Sequence, residues 1–195
     1  MERKFTEFKL KLGDKIPYFS LPGTDGKLYT ISEFEDAKCL VVVFTCNHCP
    51  YARAYEERLI ALSKDFSPKG VQFIAICSND SVSYPEDSFE KMVEKSKTLN
   101  LPYPYLQDET QITAHAFDAA CTPECYVFDS KHTLQYHGRV DDNHEDQARV
   151  KNHELRMAIE SVLQNSTPIF PLTPALGCSI KWKRTTSRVN ATLSS

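Results

Sequence analysis

The hydrophobic period of the chain changes abruptly between Leu40 and Phe66, and that change dictates its architecture. Leu40-Val-Val-Val-Phe-Thr45 is a continuous apolar, β-branched run, the pattern of a strand covered on both faces. From Pro50 onward Tyr51, Tyr55, Leu59, Leu62 and Phe66 recur every three or four residues, the spacing of a helix with one apolar face. Pro50 suits the first turn of that helix, where its missing N–H costs nothing. Between the two patterns lies Cys46-Asn47-His48-Cys49.

The remaining elements follow from the same cues. Residues 17–29 alternate around Gly23-Thr24-Asp25-Gly26, which predicts a hairpin because Asp-Gly supplies the positive φ its turn requires. A helical turn is expected at 31–35, a second buried strand at 71–77 and a helix at 88–98, introduced by Pro85, Glu86 and Asp87. Residues 102–106 read as extended and 109–119 as helical. A strand from Cys125, a turn at 129–132 and a return strand to Val140 follow, then a helix over 147–164. This order implies a single α/β domain with a mixed sheet, its parallel part made by two crossovers and one edge closed by a hairpin. We expect a polar arm at 1–11, the domain at 12–166 and an extension at 167–195, with a disordered Ser/Thr/Asn-rich end.

Composition narrows the function. A chain of 195 residues, 41% apolar and 25% charged, supports one core and excludes general disorder. With 23 basic and 26 acidic residues the net charge is −3, which argues against binding nucleic acid by phosphate neutralisation. No stretch approaches the ~20 apolar residues that span a bilayer. The N-terminus has no apolar segment of a secretory leader, so a cytoplasmic location is expected.

Seven cysteines (39, 46, 49, 77, 121, 125 and 178) are many for such a chain. In a reducing compartment, close pairs read as redox or metal sites. Cys46 and Cys49 fall between a buried strand and a helix start, where orphan N–H groups and the helix dipole stabilise an anion. That position predicts a depressed pKa and nucleophilic character for Cys46, with His48 adding a pH-dependent contribution when protonated. Two alternatives stand beside a redox couple: two buried cysteines flanking a turn, or a zinc site completed from Cys77, Cys121 and Cys125. Haem attachment is excluded because Pro50, not histidine, follows Cys49.

Far downstream, Cys121-Thr122-Pro123-Glu124 precedes a strand. A strand, C-x-x-C and helix, followed later by Thr-Pro before a strand, resemble the thioredoxin superfamily. The resemblance implies a thioredoxin fold, a cis Pro123 and a Thr122–Pro123 loop packed against the cysteine pair. The stretches Ile16-Pro-Tyr-Phe-Ser-Leu-Pro22, Asp25-Gly-Lys27 and Ser32-Glu-Phe34 resemble the N-terminal extension of the peroxiredoxin branch, which includes the alkyl hydroperoxide reductase and thiol-specific antioxidant proteins. With Val43-Phe-Thr-Cys-Asn-His-Cys-Pro-Tyr51, Ser78-Asn-Asp80, Tyr84-Pro-Glu-Asp87, Gly138-Arg-Val-Asp-Asp-Asn143 and Gly177-Cys-Ser-Ile-Lys-Trp182, the chain is similar to a peroxiredoxin-like subfamily with a thioredoxin-style C-x-x-C.

That likeness implies a thiol–disulfide oxidoreductase of cell redox homeostasis. Its catalytic residues would be Cys46, Cys49, His48 and Pro123, with no cofactor and no metal. Cys46 would attack a protein or small-molecule disulfide, Cys49 would resolve it, and a thiol donor would restore the pair. The alternatives are an antioxidant thiol peroxidase oxidised at Cys49, and a metal- or partner-binding module. In peroxiredoxins the peroxide-reducing cysteine precedes Pro, as Cys49 does. The Thr expected three residues earlier is Cys46 here, and the expected Arg of the later strand is absent, leaving Arg53 as a substitute. Cys178 is a candidate resolving thiol, with Cys121 and Thr122 as accessory residues. His115, His132, His137, His144 and His153 lack ligand spacing and are expected to face solvent. Residues 141–146 read as a solvated acidic loop. Exposed strand edges allow a homodimer.

Overall fold

The computed structural model describes residues 9–184. Most of the expected arm and the terminal Ser/Thr/Asn-rich stretch lie outside them. Strand β3 (Cys39–Phe44) is buried at every residue, as its unbroken apolar run requires. It lies between β4 (Val71–Cys77), to which it is parallel, and β7 (Glu124–Asp129), to which it is antiparallel. The edges are β5 (Tyr105–Gln107), parallel to β4, and β8 (Leu134–Gly138), antiparallel to β7, giving the order β5-β4-β3-β7-β8. Helices α1 (Pro50–Phe66) and α2 (Phe89–Thr98) make the crossovers. The hairpin β1 (Ser20–Pro22) and β2 (Leu28–Thr30) forms where expected.

The sheet is covered on both faces. On one, Val41, Val43, Cys125 and Val127 pack against Tyr55, Leu59, Leu62 and Phe66 of α1 and Leu155, Ile159 and Val162 of α4 (Glu154–Leu163). Burial of each such large side chain stabilises the fold by about 1.5–3 kcal/mol. On the other, Val42, Phe44, Tyr126 and Phe128 meet Phe117 of α3 (Ile112–Phe117) and Phe19, Leu21 and Phe34 of the N-terminal segment. Leu10, placed on the arm by sequence, is part of this core.

Three expectations need correction. Helix α4 begins at Glu154, not at 147, because side chains capture the preceding amides. Asp146 accepts from Ala148 N at 2.9 Å, and Asp142 accepts from Lys151 N at 2.9 Å and Asn152 N at 3.1 Å. The acidic loop is not simply solvated, since Asp141 is 3% exposed. Its carboxylate accepts from Arg58 Nη1 at 2.8 and 3.0 Å and from the Tyr55 hydroxyl at 3.0 Å. His137, expected in solvent, is 2% exposed and sits 2.6 Å from Glu124 Oε1.

The extension after α4 folds back over the domain. His137 N donates to Pro171 O at 3.0 Å, and Thr173 N to His137 O at 3.0 Å. The chain then forms β9 (Cys178–Ser179), antiparallel to the two-residue β6 (Cys121–Thr122). Trp182 stacks on His115 with ring centroids 4.2 Å apart.

Arg58→Ala tests the clamp between α1 and the 141–144 loop. It strands a buried carboxylate, so denaturant unfolding should show a loss of about 3–5 kcal/mol. A loss below about 0.5 kcal/mol, the range of ordinary surface changes, would mean that Asp141 is solvated after all.

Candidate active site

Cys46-Asn47-His48-Cys49 connects the end of β3 to α1. Cys49 is the N-cap of α1, and its sulfur accepts from Ala52 N at 3.5 Å. Thr45 N donates to Ile76 O at 2.8 Å, which continues the β3–β4 alignment into the loop. Both sulfurs lie inside the protein, Cys46 at 1% and Cys49 at 0% exposure.

Against them rests Thr122, whose peptide bond to Pro123 is cis. The Thr122 hydroxyl lies 3.4 Å from Cys46 Sγ, and Cys49 Sγ is 3.2 Å from the Thr122 carbonyl. Across the β6–β9 ladder Thr122 pairs with Cys178, a partly exposed residue that packs against the buried cluster holding Cys46 and Cys49. Three sulfurs therefore meet around one threonine.

Their protons are shared unequally. A hydrogen bond from the Cys46 thiol holds Cys49 well below the ordinary thiol range despite burial, with help from Cys178, Ala52 N–H and Thr122. Cys46 is driven up by that same bond, by burial and by the Asp87 carboxylate. Burial and proximity to the Cys49 charge push Cys178 up to about 11. Cys49, not Cys46, is the residue that caps the helix.

Asp87 holds the loop and was not recognised as part of the site. Its carboxylate is 1% exposed. It accepts from Asn47 N at 2.7 Å, His48 N at 3.3 Å and Asn79 Nδ2 at 2.8 Å, and lies 2.6 Å from His48 Nδ1. The sequence had given it to the α2 dipole, but Ser88 caps that helix. His48 also stacks on Tyr84, centroids 5.3 Å apart. Cys46, His48 and Asp87 have donor atoms within 4.8 Å of one another, the one metal-like grouping among the described residues. Four hydrogen bonds already fill the roughly four acceptor positions of a carboxylate, so a metal there would have to displace them. Cys77, Cys121 and Cys125, the zinc ligands weighed from sequence, are outside this grouping.

Arg53 is exposed and lines a surface cleft of about 580 Å³ with Asn47, Glu86 and Lys95. Among the described residues no hydrogen bond joins its guanidinium to either sulfur. Cys121 is held beside Glu124, its thiol 3.8 Å from Oε2. Burial and that carboxylate raise its pKa.

The profile of the AhpC/TSA family matches residues 12–137. The chain belongs to the AhpC/TSA family. Two solved structures resemble it over almost its whole length. An uncharacterized conserved protein from Geobacillus kaustophilus has 38% identity and a TM-score of 0.86, covering 94% of this chain and 96% of its own. A hypothetical protein from Sinorhizobium meliloti 1021 has 33% identity and a TM-score of 0.85, covering 93% and 97%. A thioredoxin-family thiol:disulfide interchange protein from Chlorobium tepidum shares the fold at 17% identity and a TM-score of 0.62, covering 78% and 98%. No curated protein matches. This AhpC/TSA protein therefore has the thioredoxin fold, and its family is one of redox enzymes. Among the described residues no helix is long and apolar enough to cross a membrane.

The proton order is testable by titrating thiolate ultraviolet absorbance against pH. Cys49→Ser should abolish the thiolate signal that persists below neutral pH. Cys46→Ala removes the principal donor and should move the transition upward, whereas Cys46→Ser keeps a donor and should move it less. A thiolate retained in Cys49→Ser and lost in Cys46→Ser would reverse the assignment.

Proposed function

We propose that this AhpC/TSA protein is a thiol–disulfide oxidoreductase whose working couple is Cys46 and Cys49. The observation that carries this reading is the burial of both cysteines in one cluster under the Thr122–Pro123 loop, with the Thr122 hydroxyl 3.4 Å from Cys46 Sγ and its carbonyl 3.2 Å from Cys49 Sγ. A couple of this kind exchanges two electrons by closing a bond between its sulfurs. A disulfide substrate becomes two thiols, and Cys46 and Cys49 become one disulfide. In this reading Cys49 is the sulfur that attacks, because its pKa is the one drawn down. Cys46 then displaces the substrate sulfur from Cys49, leaving its own proton to the departing thiol. This reverses the order expected from sequence. His48 and Asp87 position the intervening loop, and Pro123 fixes the carbonyl of Thr122 against Cys49. A thiol of the medium serves as electron donor.

A second reading is favoured by one feature: the charged sulfur is also the one followed by Pro50, as in peroxide-reducing cysteines. Peroxide would convert Cys49 to a sulfenic acid, releasing water, and Cys46 would condense with it to the same disulfide and a second water. The donors at Cys49 are Cys46, Cys178, Ala52 N–H and Thr122. None is cationic, so polarisation of the O–O bond is weak.

Equilibration in glutathione buffers, read by differential alkylation and mass spectrometry, decides between them. Cys46 and Cys49 should oxidise together and reversibly at about −270 to −180 mV, between thioredoxin and the oxidising isomerases. A pair that never closes in these buffers, combined with rapid sulfenic acid formation at Cys49 under low peroxide, would replace the oxidoreductase by the peroxidase.

A further inference from the structure

We propose that Cys178 is the port through which reductant reaches the buried couple: an external thiol donor exchanges with the sulfur of Cys178, and Cys178 in turn exchanges with Cys49. This rests on the reading of Cys46 and Cys49 as the redox couple. Its basis is a gradient of access. Cys46 and Cys49 are 1% and 0% exposed, while Cys178, which packs against the cluster that holds them and pairs with Thr122, is partly open to solvent. A donor thiolate must approach the sulfur it attacks along the S–S axis, and exchange rates depend on that access. Of the three sulfurs at the site only Cys178 offers it.

The fold goes to some length to bring Cys178 there. β9 is only Cys178–Ser179, yet it is pinned from both sides. Ile180 N donates to Ala120 O at 2.9 Å, and Lys181 N to Asn79 Oδ1 at 2.8 Å. Asn79 in turn donates to the Asp87 carboxylate that holds the 46–49 loop. Gly177 approaches so closely that a Cβ there would lie 2.1 Å from the Thr122 carbonyl oxygen and 2.6 Å from its carbon. Only glycine permits β9 to sit against the same carbonyl that faces Cys49. A strap placed merely to cover the sheet would not require so close an approach at the residue preceding the cysteine.

Reduction then runs in three exchanges. In the oxidised protein the Cys178 thiolate attacks the Cys49 sulfur. The Cys46–Cys49 bond breaks, a Cys49–Cys178 bond forms, and Cys46 leaves and takes up a proton. A donor thiolate next attacks the Cys178 sulfur, forming a mixed disulfide and expelling Cys49 as the thiolate the site stabilises. A second donor thiolate attacks the donor sulfur of that mixed disulfide, giving the donor disulfide and freeing Cys178 to regain its proton. The sum is one protein disulfide and two donor thiols converted to one protein dithiol and one donor disulfide. Two features time the sequence. Cys178 feels the Cys49 charge only while Cys49 is reduced, so closing the couple removes a cause of its raised pKa. Cys49, the lowest in pKa, is the leaving group of the second step, and low-pKa thiols leave faster.

The test uses the full chain, oxidised with diamide and then mixed with reduced glutathione, with the Cys46–Cys49 bond followed over time. Cys178→Ser should slow reduction at least about tenfold, the scale expected when access to the attacked sulfur is lost. Gly177→Ala, which keeps the thiol but displaces β9, should slow it too, while Cys121→Ser should match the wild type. Cys46→Ser treated with oxidised glutathione should accumulate a Cys49–Cys178 disulfide within one chain, identified by peptide mass mapping. Wild-type reduction rates in Cys178→Ser, or Cys46→Ser holding only a glutathione–Cys49 disulfide, would overturn the port and leave the couple standing. Failure of the wild type to form any Cys46–Cys49 disulfide would overturn the couple, and the port with it.

Discussion

Everything at the candidate site depends on the position of one backbone carbonyl, that of Thr122. It faces the Cys49 sulfur at 3.2 Å, and the hydroxyl of the same residue lies 3.4 Å from Cys46. The ladder partner of Thr122 is Cys178. The carbonyl comes so close because β7 begins immediately after Pro123, directly beside β3, with Glu124 opposite Phe44. Two adjacent central strands thus deliver the two halves of the site to one end of the sheet. The strands are fixed by a core buried on both faces, so the sulfurs inherit the rigidity of the sheet rather than the mobility of a surface loop.

Asp87 supplies the second constraint. A loop between a strand and a helix leaves amides unpaired, and a buried unpaired amide costs about 1–3 kcal/mol. Asp87 removes that cost for Asn47 and His48, and its other oxygen ties in Asn79. Through Asn79 the C-terminal extension joins the same network, by Lys181 N to Asn79 Oδ1 and Asp80 N to Lys181 O at 2.8 Å each. The loop carrying the couple and the strap carrying Cys178 therefore share one buried carboxylate and one amide side chain.

How much of this could be read from the sequence depends on the reach of each signal. The strand at 39–44, the helix at 50–66 and the hairpin at 124–138 were visible because period and turn chemistry are local. The pairing of Thr122 with the cysteines became visible only through a family likeness, since nothing local links those segments. Helix α4 was overextended because side-chain capture of amides by Asp142 and Asp146 leaves no periodic trace. Asp87 was misassigned for a related reason: an acid before a helix looks like a dipole or cap residue whichever way its carboxylate turns. His137 was misplaced because burial beside Glu124 depends on strand pairing across a turn. The helix start was placed beside the cysteine pair without saying which of the two caps it; the structure gives that position to Cys49.

The distribution of charge explains which cysteines can take part. Burial raises Cys39, Cys77 and Cys125, and each is fully enclosed by the sheet and its helices. Cys121 lies one residue from Thr122, close enough in sequence to suggest a third thiol of the site. Its environment excludes it, because Glu124 accepts from Cys121 N at 3.1 Å and from Ala120 N at 2.7 Å, fixing a carboxylate beside the sulfur. A thiolate there would be buried against a like charge, which disfavours ionisation on both counts. The carboxylate cannot turn away, for it is held by His137 on its other oxygen. Cys178, on the facing strand, has no such neighbour: apart from burial, what raises it is Cys49, and Lys181 works in the opposite direction. Burial is the main cause that raises it, and the part that Cys49 adds changes with the redox state of the couple, as a port to that couple requires.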